Sequence, residues 1–436
     1  MVAMSSSTES LTKVISPART LRGSLVLPGD KSISHRYALL AGLAEGTSKF
    51  SNFSTGADPH SSLKCMASLG ATVSVHKNEV EVTGMAGEFL VPRQPLDCGN
   101  SGSTMRMLAG LVASQPGDFT FVGDESLTVR PMERIRKPLE QMGAKVTLTE
   151  GHAPMTVHGA KLKALSFEAP IASAQVKTAV LFAGLRAEGT TSVVESVRTR
   201  DHSEHALRAF GAELKRDGDR LYIAGGQKLK AIEATVPGDL SSATFFLCAA
   251  LLFEDSNLVL DAVGLNPTRA TLLDVISGMG GLVKVLDVQE QHGEMVGTIQ
   301  VNRQKALRGF DITGALTASL IDEIPALAAI APYTENGMKI RDAKELRVKE
   351  SDRIALVVKN LRAMGAEVVE HEDGMDIPGG QKLSGGVIDS GLDHRIAMAF
   401  SIAALRAEGE TTIHGAEAAA VSFPEFFDYL DELAIR

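Results

Sequence analysis

Leu27-Pro28-Gly29-Asp30 returns as Val236-Pro237-Gly238-Asp239 about half a chain later, and each copy opens onto a run of small and apolar residues. The first leads to Tyr37–Leu43 and the second to Phe246–Leu251. A polar turn before such a run reads as a helix start, where Asp, Asn or Ser caps free backbone N–H groups. Four more copies share the pattern: Gly99-Asn100 before Met107–Leu111, Ala172-Ser173 before Val180–Leu185, Ile321-Asp322 before Leu327–Ala329, and Leu392-Asp393 before Ile396–Ala399.

A second word ends other helices: Leu69-Gly70-Ala71, Met142-Gly143-Ala144, Phe210-Gly211-Ala212, Met279-Gly280-Gly281 and Met364-Gly365-Ala366. Glycine just past a helix takes the left-handed conformation that closes it. Between the two words stands a short strand, such as Thr47–Phe53 or Thr190–Val194. After the second comes a hairpin, such as Ala71–Val75 with Val80–Thr83. The unit is therefore about 70 residues of helix, strand, helix, strand, strand. The sixth copy lacks its closing strands, while Lys13–Leu27 has strand text with no helix before it, which predicts that the chain ends meet. The paired Pro-Gly-Asp words mark crossovers near Pro28–Asp30 and Pro237–Asp239. They divide the chain into an inserted domain, 29–237, and a discontinuous one, 1–28 with 238–436.

The chain has 436 residues, 44 % hydrophobic and 22 % charged, which fits a globular α/β protein of two domains. A net charge of −9 disfavours nucleic acid and anionic membrane surfaces, so an anionic ligand needs a locally basic cleft. Cys65, Cys98 and Cys248 are too few and too scattered for a disulfide framework or a zinc site, and a reducing cytoplasm is the expected setting. Met1–Ser10 reads as a disordered tail without signal-peptide features, and no run reaches the roughly 18 apolar residues of a membrane span.

Helix N-termini attract phosphates and carboxylates, and several of these starts also carry cations. Ser32 and Arg36 share a face after Lys31; Arg106 follows Asn100-Ser101-Gly102-Ser103; Arg395 follows Asp393. Gly102 permits close backbone approach. Arg130-Pro131-Met132 precedes another helix. In the charge run Glu345–Arg353, helical spacing would align Lys349 with Arg353 beside Glu350, although such runs usually face solvent. Asp322 reads first as a helix cap, and as a proton acceptor only if cations surround it. Asp201-His202 with His205 lacks a third ligand, so no metal is assigned. Asp30 and Leu25 stand where a nucleotide-binding P-loop requires glycines, and no G-x-S-x-G elbow precedes a helix.

Leu27–Arg36, Gly99–Ser103, Arg130–Met132, Ser173–Lys177, Leu346–Arg353 and Asp393–Met398 together resemble the 5-enolpyruvylshikimate-3-phosphate synthase family, in order from about Ile15 to Leu430. The wording of Ser173–Lys177 and Leu346–Arg353 is similar to the second of its two bacterial classes. The resemblance implies two inside-out α/β domains, each of three βαβαββ units, with the active site between them. It also implies a cofactor-free, metal-free transfer of enolpyruvyl from phosphoenolpyruvate to the 5-hydroxyl of shikimate 3-phosphate, in aromatic amino-acid biosynthesis. Partners would be small anionic substrates only, with no nucleic acid or membrane, and the chain would be monomeric.

By motif, Lys31 would touch both substrates, and Ser32 and Arg36 the shikimate carboxylate. Ser173, Ala174 and Lys349 would border the shikimate phosphate, with Gln175 between the ligands. Gly102, Arg130, Arg353 and Arg395 would hold phosphoenolpyruvate. Asp322 would accept the 5-hydroxyl proton, and Glu350 with Lys31 would protonate the methylene carbon and reverse that step. Val421 stands where the other class has a contacting Lys, so no role is carried there. The sister family acting on UDP-N-acetylglucosamine is the alternative; it has Asn at the place of Ser32 and a loop Cys within the stretch matching Val122–Arg130, where this chain has none.

Overall fold

The structure is a computed structural model that describes residues 11–170 and 172–436. The expectation for Met1–Ser10 lies outside the described residues.

Six helices follow the six polar turns: α1 (Lys31–Leu43), α2 (Gly102–Val112), α3 (Ala174–Gly184), α4 (Leu240–Leu251), α5 (Ile324–Ile330) and α6 (His394–Ala404). Side chains of Asp30, Ser101, Ser173, Asp239 and Asp393 accept hydrogen bonds from first-turn N–H groups of α1, α2, α3, α4 and α6. Every residue of α4, α5 and α6 is buried. Helices that are apolar all round belong inside, and the sheets therefore lie outside them. Their strands alternate, as Glu79–Thr83 does with Val80 and Val82 inward and its neighbours exposed.

A second set of helices, among them Ala57–Ser68, Glu133–Met142, His202–Ala209, Thr271–Gly278 and Arg353–Ala363, ends at the predicted glycines. Gly70, Gly143, Gly211, Gly280 and Gly365 all have φ between 86° and 111°, a region that costs glycine little.

Six sheets among the described residues surround these helices. Leu96–Asp97 and Gly117–Val122 flank α2 and pair in parallel; so do Ser166–Glu168 with Thr190–Val194 around α3, and Val387–Asp389 with Thr411–His414 around α6. Around α1 and α4 the parallel partners are exchanged. Thr20–Val26, which precedes α1, pairs with Asn257–Gly264 after α4, and Glu233–Thr235, which precedes α4, pairs with Thr47–Ser51 after α1. At both places the chain leaves one half of the molecule between a strand and its helix. The Pro-Gly-Asp words meet there: Gly29 bridges Gly238, Asp30 N donates to Pro237 O at 2.7 Å, and Asp239 N to Pro28 O at 3.0 Å. A Cβ on Gly29 would lie 1.9 Å from Asn52 O, so the crossing requires glycine.

The chain ends share sheets, with Thr12–Ile15 antiparallel to Thr411–His414 and Thr20–Leu21 antiparallel to Ala434–Ile435. Two separate hydrophobic cores result. One gathers residues from Ile33 to Val236; the other gathers Ile15–Leu27 and Leu240–Leu433.

Close helix packing sets the site's geometry. A Cβ on Gly110 of α2 would lie 2.2 Å from Ala179 O of α3, so the two helices touch backbone to backbone. Gly110→Ala is expected to lower unfolding free energy by about 2–3 kcal/mol, measured by urea denaturation. An unchanged midpoint would mean that the helices separate freely.

Candidate active site

A cavity of about 380 Å³ opens between the two cores, and first turns of the inner helices reach it. Its lining includes every residue proposed from sequence: Lys31, Ser32, Arg36, Gly102, Arg130, Ser173, Ala174, Gln175, Asp322, Lys349, Glu350, Arg353 and Arg395. Eleven Lys or Arg residues line it against six Asp or Glu. The cleft is thus locally positive in a chain of net charge −9. Val421, at the end of the 3-10 turn Ala416–Val421, is not part of the lining.

On α1, Asp30 accepts from Ile33 N at 3.0 Å, which orients the first turn. Lys31 Nζ donates to Asp58 Oδ2 at 3.0 Å. Arg36 donates to Ser203 Oγ at 2.6 Å, Ser32 O at 2.7 Å and Thr178 Oγ1 at 3.2 Å, and burial pushes it down to about 10. Gln175 joins α3 to α2: its Oε1 accepts from Arg106 Nη1 at 2.8 Å and its Nε2 donates to Ser103 Oγ at 2.9 Å. A Cβ on Gly102 would lie 2.8 Å from Arg106 Nη1, so glycine there keeps the guanidinium close to the helix start.

From across the cleft come the acids. Arg130 Nη1 donates to Glu350 Oε1 at 3.4 Å, and Arg353 Nη2 donates to Glu350 Oε2 at 2.5 Å. Asp322 accepts from Arg200 and lies 3.4 Å from Lys349 Nζ and 3.7 Å from Arg353 Nη1. Burial raises both carboxyls, but the surrounding cations outweigh it. Lys349, Arg200, Arg395 and Arg353 hold Asp322 well below the usual carboxylate range, and Arg353, Arg130 and Lys31 do the same for Glu350. Both are held as anions by these neighbours. Arg395 Nη1 donates to Asp322 O at 2.6 Å, while Asp393 accepts from Arg353 Nε at 2.8 Å and fixes it.

Two sequence readings are corrected. Asp322 is not a helix cap: Glu323 holds the cap position of α5 without a side-chain cap bond, and Asp322 faces the cations instead. The Glu345–Arg353 run is not one solvated helix. A 3-10 turn covers Lys344–Val348 and a new helix starts at Arg353, because Asp352 accepts from Ala355 N at 3.0 Å and caps it. Lys349 and Glu350 lie in the break, which turns them toward the cleft lining rather than leaving them on a helix face.

Asp58, Arg134, Arg200 and Arg269 line the cavity and were not singled out. Arg200 stands two residues before the helix His202–Ala209, so the cation-at-a-helix-start rule applied to the second set of helices would have found it. Arg134 and Glu345 pair across the mouth at 3.4 Å. Asp201 accepts from Asn266 Nδ2 at 2.8 Å and Arg198 Nη2 at 2.9 Å. His202 Nδ1 and Glu294 Oε1 are 2.7 Å apart.

The family model for EPSP synthase (3-phosphoshikimate 1-carboxyvinyltransferase) matches residues 15–430. The 3-phosphoshikimate 1-carboxyvinyltransferase of Koribacter versatilis is 60 % identical over 97 % of this chain and 99 % of its own length. That of Solibacter usitatus is 52 % identical over 97 % and 99 %. A solved EPSP synthase from Acinetobacter baumannii superposes with a TM-score of 0.86 at 39 % identity, covering 97 % of this chain and 98 % of that one.

Burial, reinforced by Lys31, pushes the His394 imidazole down to about 3. The unfolded chain takes up that proton near pH 6.5, so this group's stabilisation is complete above 6.5 and is lost as pH falls toward 3. His394→Asn is expected to reduce the loss of unfolding free energy between pH 7 and pH 5 by up to about 1.4 kcal/mol per pH unit. Urea titrations that show the same slope in both proteins would contradict a buried, neutral His394.

Proposed function

From membership of the EPSP synthase family, to which this chain belongs, we infer that the cleft transfers the enolpyruvyl group of phosphoenolpyruvate to the 5-hydroxyl of shikimate 3-phosphate and releases inorganic phosphate. The chain is an enolpyruvyl transferase of the shikimate pathway. The observation that carries the assignment of roles is the convergence of all thirteen sequence-selected residues on one basic cavity. The two hydrophobic cores support two domains, 29–237 and 1–28 with 238–436, whose separation would open the cleft. Small anionic substrates are its partners, the chain acts as a monomer in the cytoplasm, and no helix of the described residues is long and apolar enough to cross a membrane.

Both substrates carry a phosphate and a carboxylate, so their approach needs cations on every side. Arg130, Arg353 and Arg395, with the backbone at Gly102, take phosphoenolpyruvate. Ser32 and Arg36 take the shikimate carboxylate, while Ser173, Ala174 and Lys349 face its phosphate. Lys31 and Gln175 stand where the two meet. As the guanidiniums turn to these anions, Glu350 and Asp322 lose their counterions and their proton affinity rises.

That exchange prepares the chemistry. Asp322 removes the proton of the 5-hydroxyl, whose oxygen bonds to the central carbon of phosphoenolpyruvate. Glu350, with Lys31, delivers a proton to the methylene carbon, giving a tetrahedral adduct with a methyl group. The reverse proton transfer from that methyl, together with loss of inorganic phosphate, restores the double bond. Closure of the two halves keeps water from the adduct.

Phosphate release from phosphoenolpyruvate is expected with shikimate 3-phosphate and not with UDP-N-acetylglucosamine; release with the sugar nucleotide alone would overturn the reading. Asp322→Ala and Glu350→Ala are expected to lower kcat by about 10²-fold or more with little change in KM. Weaker binding at an unchanged kcat would remove their catalytic roles. Arg36→Ala is expected to raise the KM for shikimate 3-phosphate by about 10–100-fold, and an unchanged KM would sink that placement.

A further inference from the structure

Lys177 belongs to the Ser173–Lys177 motif, yet it does not line the main cavity and has no part in the chemistry above. It is 1 % exposed, on α3 one turn behind Ser173 and Ala174. Its Nζ makes three contacts: Glu195 Oε1 at 3.0 Å, Glu204 Oε1 at 2.9 Å and the carbonyl oxygen of Arg200 at 2.9 Å. An ammonium has three N–H donors, so this set exhausts them.

The three acceptors lie on one segment. Glu195 begins the loop that follows the strand Thr190–Val194, and Glu204 lies in the first turn of the helix His202–Ala209 that ends it. Inside the loop, Glu195 Oε1 also accepts from Thr199 N at 3.1 Å and from Thr199 Oγ1 at 2.5 Å. Arg216 Nη2 closes the cluster at 2.9 Å from Glu195 and 3.3 Å from Glu204. The outer side of the loop, Val197–Arg200, lines the cavity, and the Arg200 guanidinium donates to Asp322 of the opposite half. The loop is thus held from behind at both ends and in the middle while its front carries a cation to the proposed base.

We propose that Lys177 is a positioning residue: by binding the Arg200 carbonyl and both ends of the Glu195–Glu204 segment, it sets the Arg200 guanidinium against Asp322. The proposal rests on Asp322 as the base of the transfer reaction. It makes the shikimate 3-phosphate side of the site depend on a buried lysine that touches no substrate. The phosphoenolpyruvate cations Arg130, Arg353 and Arg395 sit on other elements and form no ion pair or hydrogen bond with Lys177.

The test is a double-mutant cycle on steady-state turnover with the full chain. Lys177→Met is expected to lower kcat/KM for shikimate 3-phosphate by about tenfold, and to change the KM for phosphoenolpyruvate by less than about twofold. In an Arg200→Ala background the same substitution is expected to cost less than about twofold, because the group it positions is already gone. Because Lys177→Met strands two buried carboxylates, Lys177→Met/Glu204→Leu is run beside it; replacing a buried ion pair by apolar side chains preserves folding while removing the same tether. Equal fold losses in the wild-type and Arg200→Ala backgrounds, or an equal rise in the KM of both substrates, would overturn the proposal and leave Lys177 a structural residue. An inactive wild-type chain would instead overturn the transferase reading itself.

Discussion

Like-charge repulsion is the constraint around which this molecule is arranged. Eleven cationic side chains face one cavity of about 380 Å³, and cations gathered so closely destabilise a folded chain unless anions stand among them. Two of the anions present, Glu350 and Asp322, are the groups proposed for the chemistry. Asp58 holds Lys31, Glu350 bridges Arg130 and Arg353, and Asp322 takes Arg200 and Lys349. In the cleft these carboxylates act as internal counterions. In the proposed reaction, substrate anions would take over these cations and free the carboxylates for proton transfer, so one charge arrangement would serve stability in one state and reactivity in the other.

No single half of the chain could assemble this site. Arg130 and Arg200 come from the half built on Ile33–Val236, whereas Glu350 and Asp322 come from the other. The two are joined by the paired Pro-Gly-Asp turns, and a buried Arg269 ties that junction together. It reaches Asp30 at 3.1 Å, Asp239 at 3.7 Å and Glu323 at 3.3 Å. Two of these acids cap inner helices, so the junction and the helix starts share side chains. The exchange of strands Thr20–Val26 and Glu233–Thr235 follows from the same crossing.

The features legible in sequence were those that depend on neighbours along the chain. A polar turn before a small apolar run located all six inner helices, and glycine after Met, Leu or Phe located the ends of the outer ones, because both signals act within one turn. Lys31, Gly102, Ala174, Arg353 and Arg395 were legible at helix starts, which converge, whereas the roles of Asp322, Lys349 and Glu350 came from the family resemblance. What escaped were tertiary pairs. Nothing near Asp58 announces Lys31 as its partner, and nothing near Asp322 announces Arg200, which lies far away in sequence. Asp322 looked like a cap because its local context is that of a cap, and only the opposing half turns it to another use. The break between Val348 and Arg353 was hidden by a spacing that suits a continuous helix, although Asp352 is itself a capping residue.

The local field of the cleft, and not the net charge of −9, is proposed to govern the approach of substrate. The two make opposite predictions for salt. The most direct measurement is kcat/KM for shikimate 3-phosphate at saturating phosphoenolpyruvate as ionic strength rises from low to physiological values. A cationic cleft predicts a steady fall, because screening weakens attraction. A rate that stays level or rises with salt would mean that the anionic surface dominates, and would contradict the account.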